Sequence, residues 1–411
     1  MPAVFGIDIS DESTSVTCDK SEIAVKFPTA VVKDKDSDKW LVGEKAYARV
    51  LDNKALKTDK LYTLMLMDGS ATIYEVKYSA LELMKIFLKE ALDEASRILD
   101  TGDYPEHIVI SIPRIDEKII EKFMLCFSQL GYDRDKVNII SRCESFIFYV
   151  MSKGKDIWNN QVGMFYLADS SLSYFELRVQ RSARSMVVYS ESKEMDERFN
   201  LSIINSNSGS RMADRILTSC AERMLGKKVF STIFLTGKGF EETDWAESFI
   251  KYICSRRKVF ADEDLFAKGA CIRGVDLSSK KPLFNFKCIC DGRLDTDISL
   301  CLTKKDTEYN YEIASAGDLW YGTAISLRLI ADGNQELEFL LSPVDIYKNA
   351  RTIKIPLDFM PKRPLKTVRL DIEIKFKDSM TMVLNMKDAG FGEIYKALPE
   401  AVFNQEVSLW D

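Results

Sequence analysis

Hydrophobic and polar residues follow each other along this chain in three rhythms, and the changes of rhythm divide it. The first stretch reads as three strands: "AVFGIDIS", a turn at "DEST", the returning "SVTCD", then "EIAVKF" ending at Pro28. "TAVVKDKDSDKWLVGEKAYARV" reads as a hairpin leading into a helix. From Tyr78 to Leu99 the residues Leu81, Met84, Leu88, Ala91, Ala95 and Ile98 recur at helical spacing. "HIVISIP" is a short continuous apolar run, as buried strands are, and Pro113 closes it. The next helix carries Ile119, Ile120, Phe123, Met124, Phe127 and Leu130 on one side and stops at Gly131. "KVNIIS" and "CESFIFYVMS" predict a further strand and helix.

The same rhythm then starts again. "VGMFYLADSSLSYFELRVQRSARSMVVYS" predicts a strand, a tight break, a strand, a turn and a strand. A helix over Arg211–Met224, the strand "STIFLTG" and a helix from Asp244 follow. Each half opens with a hairpin whose first strand ends in an acid, Asp8 in one and Asp169 in the other. The second break is unusual. Tight turns favour Gly, Asn or Pro, yet this one is Ser170-Ser171-Leu172-Ser173.

After about residue 275 the helical period fades. "FNFKCIC", "DISLCL", "AISLRLIA", "ELEFLLS", "RTIKIPL", "TVRLDIEIKF" and "MTMVLNM" are short strands. In "TVRLDIEIKF", Val368, Leu370, Ile372, Ile374 and Phe376 point one way and the charged residues between them the other. Asp332-Gly333 is a hairpin-type turn. Residues 276–411 therefore read as an antiparallel β-sandwich, with one short terminal helix expected in "AGFGEIYKAL".

Composition narrows the function more than the fold. The chain has 411 residues, 46% of them hydrophobic and 29% charged, with a net charge of −6. Lys and Arg are spread along the whole length, which argues against nucleic acid as a partner. No apolar run is long enough to span a bilayer, and the first residues lack the pattern of an export signal. The expectation is a cytoplasmic protein without a membrane partner. The nine cysteines are scattered, with only Cys288 and Cys290 close. A single histidine, His107, removes His-based triads and gives no support for zinc or haem.

The duplicated hairpin-and-Asp layout resembles the actin-like ATPase superfamily, whose domain is a duplicated ribonuclease-H-like fold. Within it the finer resemblance is to the DnaK-type, seventy-kilodalton heat-shock chaperones. "VFGIDISDESTSV" is similar to that family's first phosphate loop and "FYLADSSLSYFEL" to its second. "KFPTAVVKDKDSDKWLVGEKA" resembles its Phe-Pro-Ser strand and the step after it. "HIVISIPRIDEKIIEKFMLCFSQLGYDRDKVNIISRCESFIFYV" resembles its first connecting segment, with the Asn-Glu-Pro-containing helix. "IFLTGKGF" and "FAKGACIRG" resemble its adenosine-side loop and the helix beyond. The resemblance covers residues 1–275. It implies an α/β nucleotide-binding domain with lobes at about 1–152 and 153–275, followed by a substrate-binding-like sandwich.

By the same resemblance, Asp8, Glu144 and Asp169 fall on the acids that organise Mg²⁺ and the attacking water, Asp8 and Asp169 holding the metal indirectly. Lys60 falls near a phosphate-facing lysine. Ser10, Ser13, Ser170 and Ser171, with Gly237 and Gly239, fall on positions that touch ATP or ADP. The departures are chemical. Glycines that would fold into anion-holding nests are replaced by Ser10 and by Ser171-Leu172-Ser173, and the threonines of the first loop by Asp11 and Glu12. A carboxylate within about 4 Å of a phosphate charge costs on the order of 4 kcal/mol at an effective dielectric near 20. The leading expectation is a divergent chaperone-like protein with a degenerate ATP cleft, weak or absent hydrolysis, and a β domain that binds a protein or peptide. The competing readings are a working Mg-dependent ATPase and a nucleotide-free interaction scaffold.

Overall fold

The computed structural model describes residues 3–52, 54–101, 105–169, 171–181, 186–197, 199–305, 307–331 and 336–410. Ser170 and the Asp332-Gly333 turn lie outside the described residues. The chain forms two compact units, Met1–Phe286 and Lys287–Asp411.

The first unit is mixed α/β and is built twice from one plan. Strands β1 (Val4–Ile9), β2 (Ser13–Cys18) and β3 (Ala24–Pro28) make an antiparallel meander. β4 (His107–Ile112) joins β1 in parallel, and β5 (Val137–Ser141) joins β4 in parallel. The sheet order is β5-β4-β1-β2-β3. The second half uses β6 (Gln161–Leu167), β7 (Leu172–Arg181), β8 (Met186–Glu194), β9 (Phe230–Thr236) and β10 (Lys258–Ala261). Their order, β10-β9-β6-β7-β8, and their directions repeat the first half.

Helix α1 (Ala80–Ile98) starts where Ser79 and Glu82 close a capping box, which satisfies two of the orphan N–H groups of its first turn. It buries Leu83, Phe87 and Leu92 beside Met84, Leu88, Ala91 and Ala95, while Ile98 is exposed. The buried stripe is thus wider than the expected one and rotated from it. α2 (Glu117–Gln129) is capped by Asp116, whose side chain accepts from the amides of Lys118 and Ile119. α3 (Arg142–Met151) follows β5 directly. The second half adds α4 (Asn207–Leu225), α5 (Glu247–Ile253) and α6 (Leu265–Ser278).

α6 returns to the first sheet and lies against β1 and α3. Two glycines permit this. A Cβ on Gly6 would sit 2.2 Å from the Ala267 carbonyl oxygen, and one on Gly269 would sit 2.0 Å from that of Ser145. Gly269→Ala therefore forces backbone apart and is expected to cost roughly 1–3 kcal/mol, read as a lower urea midpoint of the first unit. After α6, Phe284 and Phe286 pack on Phe148, so residues 276–286 go with the first unit.

The second unit is all β. Its strands are β11 (Thr296–Lys304), β12 (Thr307–Ala314), β13 (Ala324–Ala331), β14 (Glu336–Pro343), β15 (Arg351–Pro356), β16 (Val368–Asp378), β17 (Thr381–Asp388) and β18 (Val402–Ser408). They form two antiparallel sheets, β12-β11-β14-β15 and β13-β16-β17-β18. The alternation in β16 holds, with Leu370, Ile372, Ile374 and Phe376 buried. The helix expected in "AGFGEIYKAL" is absent. Gly390 and Gly392 take φ of +62° and +64°, left-handed backbone that a helix cannot contain, and Phe391 pairs with Tyr395 in a bridge instead. No helix of the described residues is long and apolar enough to cross a membrane.

Candidate functional site

The two acid-bearing corners are linked by one network of charges. Asp8 lies near the end of β1, and both its oxygens are taken. Arg142 donates Nε to Oδ1 at 2.9 Å and Nη2 to Oδ2 at 2.8 Å. Arg142 is the first residue of α3, and Ser141 caps that helix by accepting from the Glu144 amide. Its guanidinium lies over the rings of Tyr166, at 4.7 Å, and Phe266, at 4.9 Å. The residue is only 5% exposed. Burial alone would discourage a cation there. The Asp8 carboxylate outweighs it and holds the guanidinium protonated more firmly than an ordinary arginine. Burial also pushes the Tyr166 phenol up, with Arg142 opposing.

The first corner is closed on itself. The Ser10 amide and hydroxyl both donate to the Ser13 carbonyl, at 3.1 and 3.0 Å, and the Ser13 amide donates to Ser10 Oγ at 3.4 Å. The amides of Ser10 and Ser13 and the Ser10 hydroxyl are thus occupied within the turn. Asp11 turns away and accepts from the amide of Thr63, at 2.9 Å, and from its hydroxyl. It thereby serves one of the orphan N–H groups of the short helix Leu61–Leu66. Lys60 is exposed at the start of that helix with φ +54°, and among the described residues no ion pair joins it to Asp8 or Asp169.

The second corner is held in the same manner. The Ala168 amide donates to the Ser171 carbonyl at 2.9 Å. The Asp169 amide donates to Glu12 Oε2 at 3.2 Å, and the Asp169 carboxylate pairs with Lys238 at 2.8 Å. Leu172 is 1% exposed and starts β7 opposite Leu167. Leu172 is thus a core anchor that pins the turn from inside. Gly237 and Gly239 are explained by the same packing. A Cβ on Gly237 would lie 2.6 Å from the Leu167 carbonyl oxygen, and one on Gly239 2.4 Å from the Leu167 side chain.

Glu144 is not part of this network. It sits two residues after Arg142, about 200° around the helix, so the two side chains cannot share a face. Its carboxylate, 1% exposed, meets Arg273 Nε at 3.2 Å, and Arg273 also pairs with Asp276 and lies over Phe148. The resemblance groups Glu144 with Asp8 and Asp169; in the structure Glu144 pairs with Arg273, and Arg142 is the residue against Asp8. The missed signal was an arginine between two strongly apolar segments, "NIIS" and "FIFYVM". Further contacts join the two halves: Ser15 Oγ donates to Asp264 at 2.5 Å, and Lys26 pairs with Glu241 and Glu263 at 3.4 Å each.

Three acids, Asp8, Glu12 and Asp169, and two cations, Arg142 and Lys238, therefore share one network. Mg²⁺ takes oxygen ligands in near-octahedral geometry, and this set does not fit it. The Asp8 carboxylate is held bidentately by a buried guanidinium, and Asp169 pairs with the exposed ammonium of Lys238. Each unit of cation charge within about 4 Å of Arg142 would be opposed by on the order of 4 kcal/mol at an effective dielectric near 20.

Glu12 offers a test of the network. Desolvation of its carboxyl, more than any other cause, raises its pKa; the Asp169 amide, Lys238 and Arg142 pull it down, and the Asp169 charge adds to the rise. A carboxyl whose folded pKa is raised contributes stability below its unfolded pKa, and that contribution is lost as pH rises through the folded value. Glu12→Gln, which keeps an acceptor for the Asp169 amide, should equal or exceed the wild type in urea midpoint at pH 7.5. That margin should shrink at pH 4.

Residues 12–291 match a family of unknown function, DUF5716 C-terminal. Residues 293–409 match a domain of unknown function, DUF8552. The first match covers well over half of the chain, so the chain belongs to the DUF5716 family. The two matches meet within a few residues of the division between the compact units. No curated protein matches the chain.

Proposed function

We propose that this protein is an interaction scaffold built on an actin-like, heat-shock-chaperone-type first unit that no longer handles nucleotide. The bidentate Arg142–Asp8 pair carries this reading. A guanidinium stands where a cation would serve a phosphate, and the Glu12 carboxylate takes an amide of the second corner, as a phosphate oxygen would. The cleft supplies its own cation and anion. Support for the actin-like assignment comes from the repeated strand order and from the two acid-bearing corners meeting in one network.

The partner is a protein or peptide, and it binds the β unit. The outer face of β13, β16, β17 and β18 forms a groove of about 800 Å³. Ser326, Glu373, Asn385 and Asn404 cross it in one register row, and Arg328, Asp371 and Lys387 in the next. Rows of donors and acceptors two residues apart along each strand suit an extended polar chain better than an apolar ligand. The test uses the full chain. Phosphate release from Mg-ATP should match buffer and be unaffected by Asp169→Ala, while an array of extended peptides should yield binders that Arg328→Glu weakens. Turnover abolished by Asp169→Ala would overturn the scaffold reading, and no binder across the array would remove the peptide partner.

A further inference from the structure

We propose that Cys288 and Cys290 are a reversible redox pair that closes to a disulfide with a low-molecular-weight disulfide, such as glutathione disulfide, as oxidant. None of the nine cysteines is in a disulfide. These two belong to the opening segment of the second unit. Cys288 lies on the short strand Lys287–Ile289, and Cys290 is the first residue beyond it. Residues two apart on a strand point to one side, and the two sulfurs are 3.8 Å apart.

The 3.8 Å separation of the two sulfurs is the geometric ground for closure. Two residues of extended chain separate their Cα atoms by about 6.6 Å, near the upper limit of about 6.8 Å for a disulfide. Cys290 directly follows the strand, and the chain bends there, where the Arg293 amide donates to its carbonyl at 3.0 Å. A ring enclosing one residue is strained, and strained disulfides are the reducible, regulatory kind. The thiols are 7% and 8% exposed, which makes the first exchange slow. The second is intramolecular and fast.

The chemistry balances. One cysteine thiolate attacks a sulfur of glutathione disulfide and expels glutathione thiolate. The other cysteine thiolate attacks the protein sulfur of that mixed disulfide and expels the second. Two cysteine thiols are oxidised, one glutathione disulfide is reduced, and the two protons end on two glutathione thiols. Closure would stiffen the turn that follows, where the Leu294 amide donates to the Asp318 carbonyl and the Gly317 amide to the Leu294 carbonyl.

Tryptic cleavage after Lys287 and Arg293 isolates both cysteines in one fragment. The full chain is equilibrated over a range of reduced-to-oxidised glutathione ratios, quenched with N-ethylmaleimide, digested and weighed. Under oxidising ratios the 288–293 fragment should emerge unalkylated and two hydrogens lighter than the dithiol. At an intermediate ratio that fraction should be about tenfold larger than in the same chain in urea, a change equivalent to roughly 30 mV. Dithiothreitol should reverse it, and Cys290→Ser should leave Cys288 alkylated or carrying glutathione. A fragment doubly alkylated at every ratio would overturn the pair, as would oxidation confined to the exposed Cys254 and Cys301 or an equal yield in urea.

Discussion

Arg142→Met is expected to destabilise the first unit by roughly 3–5 kcal/mol, the usual consequence of removing one partner of a buried ion pair. The variant leaves Asp8 with no cation on either oxygen, inside a sheet where it is hydrogen-bonded only through Arg142 in the described network. It also removes the planar group between Tyr166 and Phe266. The double variant Asp8→Asn with Arg142→Met should recover most of the loss, because no charge is then left buried alone. Urea midpoints of the four chains of this cycle give the coupling. If the single and double variants are equally unstable, the loss is packing and the ion pair is incidental.

The second large effect belongs to the β unit. Asp388 is buried and accepts four bonds: Arg363 Nη1 and Nη2 at 2.8 and 2.7 Å, the Gly390 amide at 3.0 Å and the Leu398 amide at 2.8 Å. Burial alone would raise its pKa, and the Arg363 guanidinium with the two amides outweighs it and lowers the carboxyl from 3.8. A lowered acid stabilises the fold above its unfolded pKa and loses that contribution as pH falls through the folded value. The β unit should therefore weaken on acidification below the ordinary aspartate range. Asp388→Asn is expected to cost roughly 3–5 kcal/mol at pH 7, since Arg363 is left buried and unpaired. Hydrogen exchange of the 389–401 segment at neutral and acid pH checks both statements. Protection there that ignores both the variant and the pH would refute them.

What was legible in the sequence was whatever has a short period. The two meanders showed as a repeated strand–break–strand rhythm, and the alternation of β16 showed which face would be buried. The continuous apolar run at "HIVISI" identified a strand covered on both sides. The candidate site was less legible because its partners are distant in the chain. Asp11 reaches Thr63, and Glu12 reaches the amide of Asp169. No local pattern announces either contact, and both acids read as obstacles to an anion when they are hydrogen-bond acceptors that join distant segments. Arg142 and Glu144 show a second kind of failure. The segment was rightly read as a helix start, yet two residues decide which side chain faces Asp8 and which faces Arg273. The segment after Asp388 failed for a third reason: its composition suits a helix, but two left-handed glycines and the bonds to Asp388 fix it as a loop.

The central claim is that the cleft is neutralised from within. Thermal unfolding of the full chain with and without millimolar Mg-ATP or Mg-ADP tests it directly, because a ligand that binds only the folded protein raises the midpoint. The account predicts the same midpoint in all three conditions. A rise of several degrees with nucleotide, abolished by Asp169→Ala, would contradict it.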